Sequence, residues 1–343
     1  MLHMKAIVYR TPGASDVLSL VEREIADPGA GEVRVRIAVS GVNPTDWKSR
    51  AGGTARATFA ETVPNQDGSG IVDALGDDVE GLAVGDRVWV HLAQHQRPTG
   101  TAQEYTVVPA SRAIRLPEGI DFETAASLGV PAVTAHRALT VHEDGPARLA
   151  PGALTGRTVL VAGGAGAVGH AAIQLARWAG ATVITTVSSD AKAALARAAG
   201  AHHIIDYTQG DLVENIREVA PDGVDQIVEV SLATNAAVDA EVAAGHAVVA
   251  FYADDNGDTF SMPIRPTFAK NIRVQGVLLY TVGEPALDAA VADITAALED
   301  GVLPVGEEHG LPLTWFPLSE TAAAHDAVEA ATVGKVLIRV AEL

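Results

Sequence analysis

Three glycines at the spacing Gly-x-Gly-x-x-Gly follow directly on an apolar strand and open an alanine-rich helix. At this spacing Gly164 would supply a tight turn, Gly166 would let the backbone approach a pyrophosphate, and Gly169 would let helix and strand pack closely. The first N–H groups of the helix, which include those of Ala167 and Val168, would then face the anion. The segment therefore predicts a dinucleotide-binding site, and the alternative is a structural turn.

The pattern around the glycines supports this prediction. Apolar residues recur at helical spacing on one face of the following segment, and a β-branched strand over 182–187 comes next. This strand–helix–strand order is the context that the motif requires. The apolar helical face comprises Val168, Ala172, Leu175, Ala176 and Ala179.

The end of the second strand bears on which nicotinamide cofactor is bound. NAD-preferring folds place an acidic side chain about 20 residues past the glycines, to bind the ribose 2′-hydroxyl. Val187 occupies that position, and Ser188, Ser189 and Lys192 follow it with two hydroxyls and an ammonium group. These groups suit a 2′-phosphate and favour NADPH, with Asp190 expected to face solvent. The alternative is that the serines cap the helix and Lys192 is a solvated lysine.

The rhythm of the chain divides it into two kinds of structure. The first part contains short strands separated by glycine and proline, which suit an antiparallel barrel-like sheet, and a helix is predicted over 123–140. From 157 onward, strands and helices alternate as in a parallel doubly wound α/β sheet. We expect a β-rich catalytic domain, residues 1–128 and 279–343, into which a dinucleotide-binding domain, residues 129–278, is inserted.

Composition excludes several classes of function. The 343 residues are 48% hydrophobic and 20% charged, and they include no cysteine, so disulfides, thiolate nucleophiles and cysteine-ligated metals are excluded. A formal charge of −19 disfavours nucleic acid and anionic membranes as partners. The first residues lack the pattern of a secretory signal, so a cytoplasmic protein is expected.

Several motifs resemble the quinone oxidoreductase branch of the medium-chain dehydrogenase/reductase superfamily, the group that includes zeta-crystallin. The likeness covers nearly the whole chain and implies a GroES-like catalytic domain, a Rossmann domain, NADPH, and a homodimer formed by pairing of edge strands. The motifs that carry it are GVNPTD at 41–46, GDRV at 85–88, LP at 116–117, PAVTAHRAL at 131–139, the glycine motif, and GKV at 334–336.

The chain departs from the alcohol dehydrogenases of this superfamily at the catalytic zinc. Aligned by eye, Asn43, Gln66 and Val130 stand where those enzymes place two cysteines and a histidine, and none of the three is a suitable zinc ligand. The resemblance also implies a zinc-free enzyme. A His-x-x-x-His pair, His91 and His95, lacks a third ligand and predicts loop histidines rather than a metal site.

The resemblance implies roles for residues near the nicotinamide. Thr134 would lie toward the carboxamide, and Asn43 toward the ribose, the nicotinamide or the substrate. A helix threonine and a turn asparagine are the alternatives. Thr45 takes the place of a proton-relay hydroxyl, although it could equally cap a turn. Trp47 could wall the pocket by stacking on a flat ring, or could pack in the core.

Four further residues are implied to contact the cofactor. Tyr207 would pack near the adenosine 2′-phosphate, and Phe251 and Tyr252 end a strand whose backbone could meet the nicotinamide. Lys335 could reach the phosphates. The alternatives are a strand-end tyrosine, core and rim aromatic residues, and a surface lysine.

Without a metal to polarise a ketone, an NADPH enzyme works best on acceptors activated by conjugation, so we expect a reductase of quinones or α,β-unsaturated carbonyls. A carbonyl or enoyl-thioester reductase of the same fold and a non-enzymatic NADPH-binding regulator are the alternatives. The physiological acceptor, the proton donor and the face of hydride delivery stay open.

Overall fold

A computed structural model describes residues 2–53 and 59–343. No helix within these ranges is both long and apolar enough to cross a bilayer. The strands are β1 His3–Val8, β2 Ser19–Glu24, β3 Glu32–Val42, β4 Asp67–Leu75, β5 Arg87–Val90, β6 Tyr105–Pro109, β7 Ala113–Arg115, β8 Thr158–Ala162, β9 Thr182–Val187, β10 His203–Asp206, β11 Val224–Glu229, β12 Ala243–Phe251, β13 Arg273–Gly276, β14 Leu313–Pro317 and β15 Lys335–Arg339. The helices are α1 Pro44–Arg50, α2 Phe122–Ala126, α3 Gly129–Leu139, α4 Ala167–Trp178, α5 Asp190–Ala199, α6 Leu212–Val219, α7 Leu232–Val242, α8 Ile264–Ala269, α9 Glu284–Glu299 and α10 Thr321–Glu329.

The chain forms two compact units, one of which uses both ends of the sequence. The first unit comprises Met1–Val130 and Leu313–Leu343, and the second comprises Pro131–Pro312. The domain boundaries predicted from the sequence instead place residues 279–312 in the first domain. These residues pack with the second unit because Asp293 of α9 binds His136 Nε2 at 2.7 Å and the backbone N–H of Leu149 at 2.6 Å.

The first unit is built on a mostly antiparallel sheet. Its order is β14-β15-β3-β4-β5-β7, with β6 also paired to β3 and with β1 and β2 forming a separate ladder. The last strand of the chain, β15, pairs antiparallel with β3, so that Val336 lies opposite Val42. Alternating valines and isoleucines of β3 are buried, as expected for a strand with one face in the core. This is the GroES-like β-rich domain that the sequence predicts.

The second unit contains a six-stranded parallel sheet in its described residues. The strand order is β10-β9-β8-β11-β12-β13, which is the doubly wound order of dinucleotide-binding folds. Its core forms where branched side chains of neighbouring strands, including Leu160, Ile184 and Val249, pack against Ile216 of α6. The predicted Rossmann architecture is confirmed.

The helix predicted over 123–140 is wrong as one continuous element. It divides into α2 and α3, and the chain between them makes a tight turn in which Ser127 N donates to Thr124 O at 3.0 Å. The Val130 N–H donates to the carboxylate of Asp67, at 2.8 and 2.9 Å from its two oxygens. A Cβ at Gly129 would overlap that carboxylate, so glycine permits the approach. The break thus places the Val130 N–H, within the first unit, on a buried acid.

Candidate functional site

The glycine turn joins β8 to α4 and differs in one detail from the prediction. The left-handed conformation that makes the turn tight belongs to Gly163, with φ of +71°, and not to Gly164. Gly164 is needed for a different reason. A Cβ there would overlap the hydroxyl of Thr185 and would lie 2.9 Å from Ile173 Cδ1, so only glycine lets the turn pack against β9.

The next two glycines lie as the motif requires. Gly166 is the exposed N-cap of α4, and the nearest atom to a Cβ added there would be Gly163 O at 3.5 Å, so this side of the turn is open. A Cβ at Gly169 would overlap the Gly163 carbonyl oxygen, so this residue keeps α4 close to the turn. The N–H groups of Ala167 and Val168, at the start of α4, therefore lie beside the open side of the turn, where an anion site requires them.

The residues after β9 form a small polar cluster. Lys192 Nζ donates to Ser188 Oγ at 3.0 Å, and the side chain of Ser189 caps α5 by accepting from Lys192 N at 3.3 Å. The capping alternative is therefore confirmed for Ser189, whereas Ser188 instead binds the ammonium group. Asp190 is exposed, as expected. The cluster presents a cation and a hydroxyl at the carboxyl end of a strand, where nucleotides bind in this class of fold.

Tyr207 lies beside this cluster. It follows β10, which pairs in parallel with β9, and its backbone N–H donates to Val187 O at 3.0 Å. Its side chain is half exposed. Tyr207 is thus a half-exposed strand-end residue whose backbone lies beside the end of β9, at the same edge of the sheet as Ser188.

The carboxyl end of β12 carries two more of the predicted cofactor residues. Phe251 ends the strand, and Tyr252 N donates to Glu229 O at 3.2 Å across to the end of β11. Both side chains are half-buried. Burial, with Glu229 nearby, raises the pKa of the Tyr252 hydroxyl, so it stays protonated. Asp239 is buried against Glu229, and burial together with that neighbour raises the pKa of the Asp239 carboxyl.

Asn43 lies in a buried polar cluster of the first unit. Its Nδ2 donates to Asp67 Oδ2 at 2.6 Å, and its Oδ1 accepts from Lys335 Nζ at 2.6 Å. Lys335 Nζ lies 3.8 Å from the same carboxylate oxygen, and the side chains of Lys335 and Asp67 are 1% and 0% exposed. The surface alternative for Lys335 is therefore wrong, because the ammonium is buried in a network.

The backbone around Asn43 is also tied down. Asn43 is the N-cap of α1, and its own N–H donates to Asp46 Oδ2 at 2.8 Å. The other oxygen of Asp46 accepts from Gln66 N at 3.1 Å, which joins the start of α1 to the start of β4. A Cβ at Gly41 would overlap Ala126 O and lie 3.2 Å from Lys335 Cε. Small backbone at this point makes room for the lysine.

The cluster around Asp67 does not suit zinc. Its carboxylate accepts hydrogen bonds from the Asn43 amide and the Val130 N–H, and the Lys335 ammonium lies 3.8 Å away, so none of its neighbours here is a group that can ligate a cation. The side chain of Gln66 is bonded elsewhere, to Gln94 Oε1 at 3.0 Å. Across residues 2–53 and 59–343, no three histidine or acidic side chains converge as a metal site requires.

The remaining predicted residues lie in helices. Thr45 and Trp47 are half-buried in α1, with the Lys48 ammonium 5.9 Å from the centre of the Trp47 ring. Thr134 is buried in α3, within the second unit. The structure therefore brings together Asn43 with Lys335, and separately Ser188, Ser189, Lys192 and Tyr207.

Two residues of these sites escape the sequence analysis. Asp67 stands directly after Gln66, and a single acid between a buried polar residue and a Gly-Ser-Gly strand is a signal that could have found it. Gly163 precedes the motif by one residue, so the glycine pattern alone does not single it out.

Comparison with known proteins agrees with both halves of this description. Residues 29–118 match the family described as alcohol dehydrogenase GroES-like domain, and residues 167–296 match the family described as zinc-binding dehydrogenase. The first match includes Asn43 and Asp67. The second match begins with the first residue of α4, directly after the glycine turn, and includes Gly169.

Relatives span nearly the full chain. A quinone oxidoreductase of Rattus norvegicus is 30% identical over 98% of this chain and 97% of its own length. A 2-haloacrylate reductase of a Burkholderia species is 30% identical over 94% of both chains. The crystal structure of Escherichia coli quinone oxidoreductase complexed with NADPH superposes with a TM-score of 0.81, at 25% identity, over 98% of this chain and 99% of that one.

The folds of both units, the glycine turn and the extent of these matches agree with the resemblance seen in the sequence motifs. The protein is therefore an oxidoreductase that belongs to the quinone oxidoreductase-like family of the medium-chain dehydrogenase/reductase superfamily.

Proposed function

We propose that the protein is an NADPH-dependent, zinc-independent reductase that transfers hydride to quinones or α,β-unsaturated carbonyls. The observation that carries this proposal is the cluster of Asn43, Asp67 and Lys335, which offers hydrogen-bond donors where a metal enzyme would need ligands. Such a site suits an acceptor whose conjugation already makes a carbon electron-poor.

The nucleotide unit supports NADPH as the cofactor. The open backbone at Gly166 and the first N–H groups of α4 would hold the pyrophosphate. Ser188, Lys192 and Tyr207 would hold the 2′-phosphate, because a cation and a hydroxyl lie together at the end of β9. Two solved relatives are complexes with NADPH, one from Escherichia coli and one mycobacterial.

The chemistry divides simply between cofactor and protein. When bound, NADPH supplies a hydride from its nicotinamide ring. Asn43 would offer an amide N–H to the acceptor oxygen on which negative charge develops. Thr134 would offer a hydroxyl to the carboxamide of the cofactor. Trp47 packs against the flat acceptor. Solvent would supply the proton that completes the reduction, since residues 47–53, directly after the asparagine motif, include no tyrosine.

The acceptor class is supported by the names of the relatives. They include quinone oxidoreductases and a 2-haloacrylate reductase, and both quinones and haloacrylates carry a carbon–carbon double bond conjugated to a carbonyl group. An enoyl-thioester reductase and a non-enzymatic NADPH-binding protein are the alternative functions.

The test is to mix pure protein with NADPH and a panel of a benzoquinone, a naphthoquinone, a simple enone, 2-chloroacrylate and a crotonyl thioester, and to follow the loss of NADPH absorbance. We expect turnover on quinones or enones that survives treatment with a metal chelator. Turnover on the thioester alone would favour the first alternative. Tight NADPH binding without turnover on any acceptor would favour the second.

We propose that the molecule is a homodimer. Among the residues that the structure describes, the edge strand β13 pairs only with β12, and Ile264, Phe268 and Leu278 near it are more than half exposed. Apolar side chains beside an unpaired strand edge favour association with a second copy. Light scattering should give twice the mass of 35.3 kDa, and Ile264→Asp combined with Phe268→Asp should return the monomer mass. A monomeric wild-type protein would refute the proposal.

We also propose a cytoplasmic location and small molecules as the partners of this enzyme. The net charge of −19 supports the absence of nucleic acid among its ligands. Fractionation of cells that produce a tagged chain tests the cytoplasmic location. A gel-shift assay with a random RNA tests whether the protein fails to bind nucleic acid, as proposed.

A further inference from the structure

The amide of Asn43 is held at both of its ends. Asp67 can only accept a hydrogen bond there and Lys335 can only donate one, so a single orientation of the amide satisfies both neighbours. The flipped amide would place its oxygen against a carboxylate and its NH2 group against an ammonium group. The two charged residues therefore determine which atom of Asn43 points in which direction.

Each of the two charged groups is itself fixed by backbone. The Asp67 carboxylate accepts the Val130 N–H that opens α3. Lys335 begins β15, whose next residue is paired with Val42, and its side chain passes over Gly41. The orientation of Asn43 is thus set by three elements of the first unit, α1, β4 and β15, and by the break before α3.

A buried charge pair of this kind is a costly way to stabilise a fold. Burial raises the pKa of the Asp67 carboxyl and lowers the pKa of the Lys335 ammonium, which shows that the surroundings disfavour both charges. Apolar residues of similar volume often stabilise a protein as well as a buried ion pair does. A role in orienting a neighbouring group explains the pair better than stability does.

We propose that Asp67 and Lys335 are positioning residues that orient the Asn43 amide, leaving its second N–H for the ligand. Nδ2 carries two hydrogens, and Asp67 takes one of them. The proposal rests on the proposed function in one respect only, namely that the second N–H donates to the oxygen of an acceptor. The orientation itself does not depend on any reaction.

The orientation can be measured without turnover. The chain contains six asparagines, so protein labelled with 15N in asparagine side chains gives few NH2 signals, and Asn43→Ala identifies the pair that belongs to Asn43. We expect the chemical shifts of that NH2 pair to differ from those of the other asparagines because of the charged neighbours. Asp67→Asn and Lys335→Met should each change these chemical shifts. The exposed residues Lys5 and Asp16 provide controls, since Lys5→Met and Asp16→Asn should leave it unchanged.

Activity provides the second measurement. Asn43→Ala and Lys335→Met should each lower kcat at least tenfold, with less than a twofold change in NADPH Kd measured by fluorescence. If Lys335 acts through Asn43, adding Lys335→Met to Asn43→Ala should cost less than a further twofold.

Three outcomes would overturn the proposal. If the losses of kcat multiply in the double variant, Lys335 has a role that does not pass through Asn43. If Lys335→Met greatly weakens NADPH binding, Lys335 binds the cofactor phosphates instead. An unmoved Asn43 signal would show that neither charge orients the amide. If Lys335→Met does not fold, Asp67→Asn, which keeps the shape of the side chain, answers the same questions. Wild-type protein without turnover would refute the proposed function and leave the spectroscopic test intact.

Discussion

Two glycines of the same turn should respond in opposite ways to the same substitution. Gly166→Ala adds a methyl group on the open side of the turn, where the nearest atom is 3.5 Å away. Gly169→Ala adds one against the Gly163 carbonyl, where it would overlap the oxygen and lie 3.0 Å from the carbon. The first change should affect the ligand, and the second should affect the fold.

The magnitudes follow from these contacts. Overpacking at Gly169 should lower the free energy of unfolding by about 2 kcal/mol, which corresponds to a decrease in Tm of about 3 °C for a chain of this length. Gly166 has φ of −86°, which alanine adopts without strain, so stability should stay equal or rise by about 0.5 kcal/mol. A methyl group between backbone and pyrophosphate should cost at least one charge-assisted hydrogen bond, about 1.5–3 kcal/mol, and raise the NADPH Kd tenfold to a hundredfold.

The assay pairs thermal unfolding without ligand with titration of NADPH followed by its fluorescence. Gly245 is a matched control, because a Cβ there meets no atom within 4 Å and Gly245→Ala should change neither quantity. The reasoning is refuted if Gly166→Ala binds NADPH as wild type does, or if it unfolds at the same reduced temperature as Gly169→Ala.

Three further predictions concern single side chains. Lys192→Ala should weaken NADPH tenfold to a hundredfold and NADH less than twofold in fluorescence titrations, and equal losses would place the 2′-phosphate elsewhere. Burial lowers the pKa of His91 from 6.5 to about 4. The stability that depends on neutral His91 is therefore fully present above pH 6.5 and is lost as the pH falls toward 4. Between pH 7.5 and 5 this loss is about 2 kcal/mol in urea unfolding, and His91→Gln should remove it; an unchanged pH dependence would contradict the assignment. Asp293→Asn should cost about 3 kcal/mol of unfolding free energy by leaving His136 and Arg148 without their buried partner, and a cost below 1 kcal/mol would show that the pair is unimportant.

The fold could be predicted to a large extent because local patterns and tertiary structure agree. The alternation of strands and helices predicted from residue 157 onward agrees with the parallel sheet of the second unit. The glycine motif lies between β8 and α4, as expected. The helix predicted over 123–140 failed because the break at Gly129 depends on Asp67, a residue more than sixty positions away. No pattern within the helix contains that information.

The candidate site was predictable in part for the same reason. Ser188 and Lys192 are neighbours in sequence, so their contact follows from a strand that ends where a helix begins. Lys335 and Asn43 meet through the pairing of β15 with β3, which motif spacing does not reveal. The resemblance identified both residues, but only the three-dimensional arrangement shows that they bind each other and Asp67.

The bond between Lys335 and Asn43 closes a loop of 292 positions in the chain. During synthesis, Asn43 and Asp67 leave the ribosome long before Lys335, whose ammonium group neutralises the Asp67 carboxylate. An incomplete chain therefore contains every residue of the glycine turn but lacks the ammonium group that orders the amide. We expect fragments that end before β15 to reduce an acceptor at least tenfold more slowly than the 343-residue chain, even where they still bind nucleotide, because they lack Lys335.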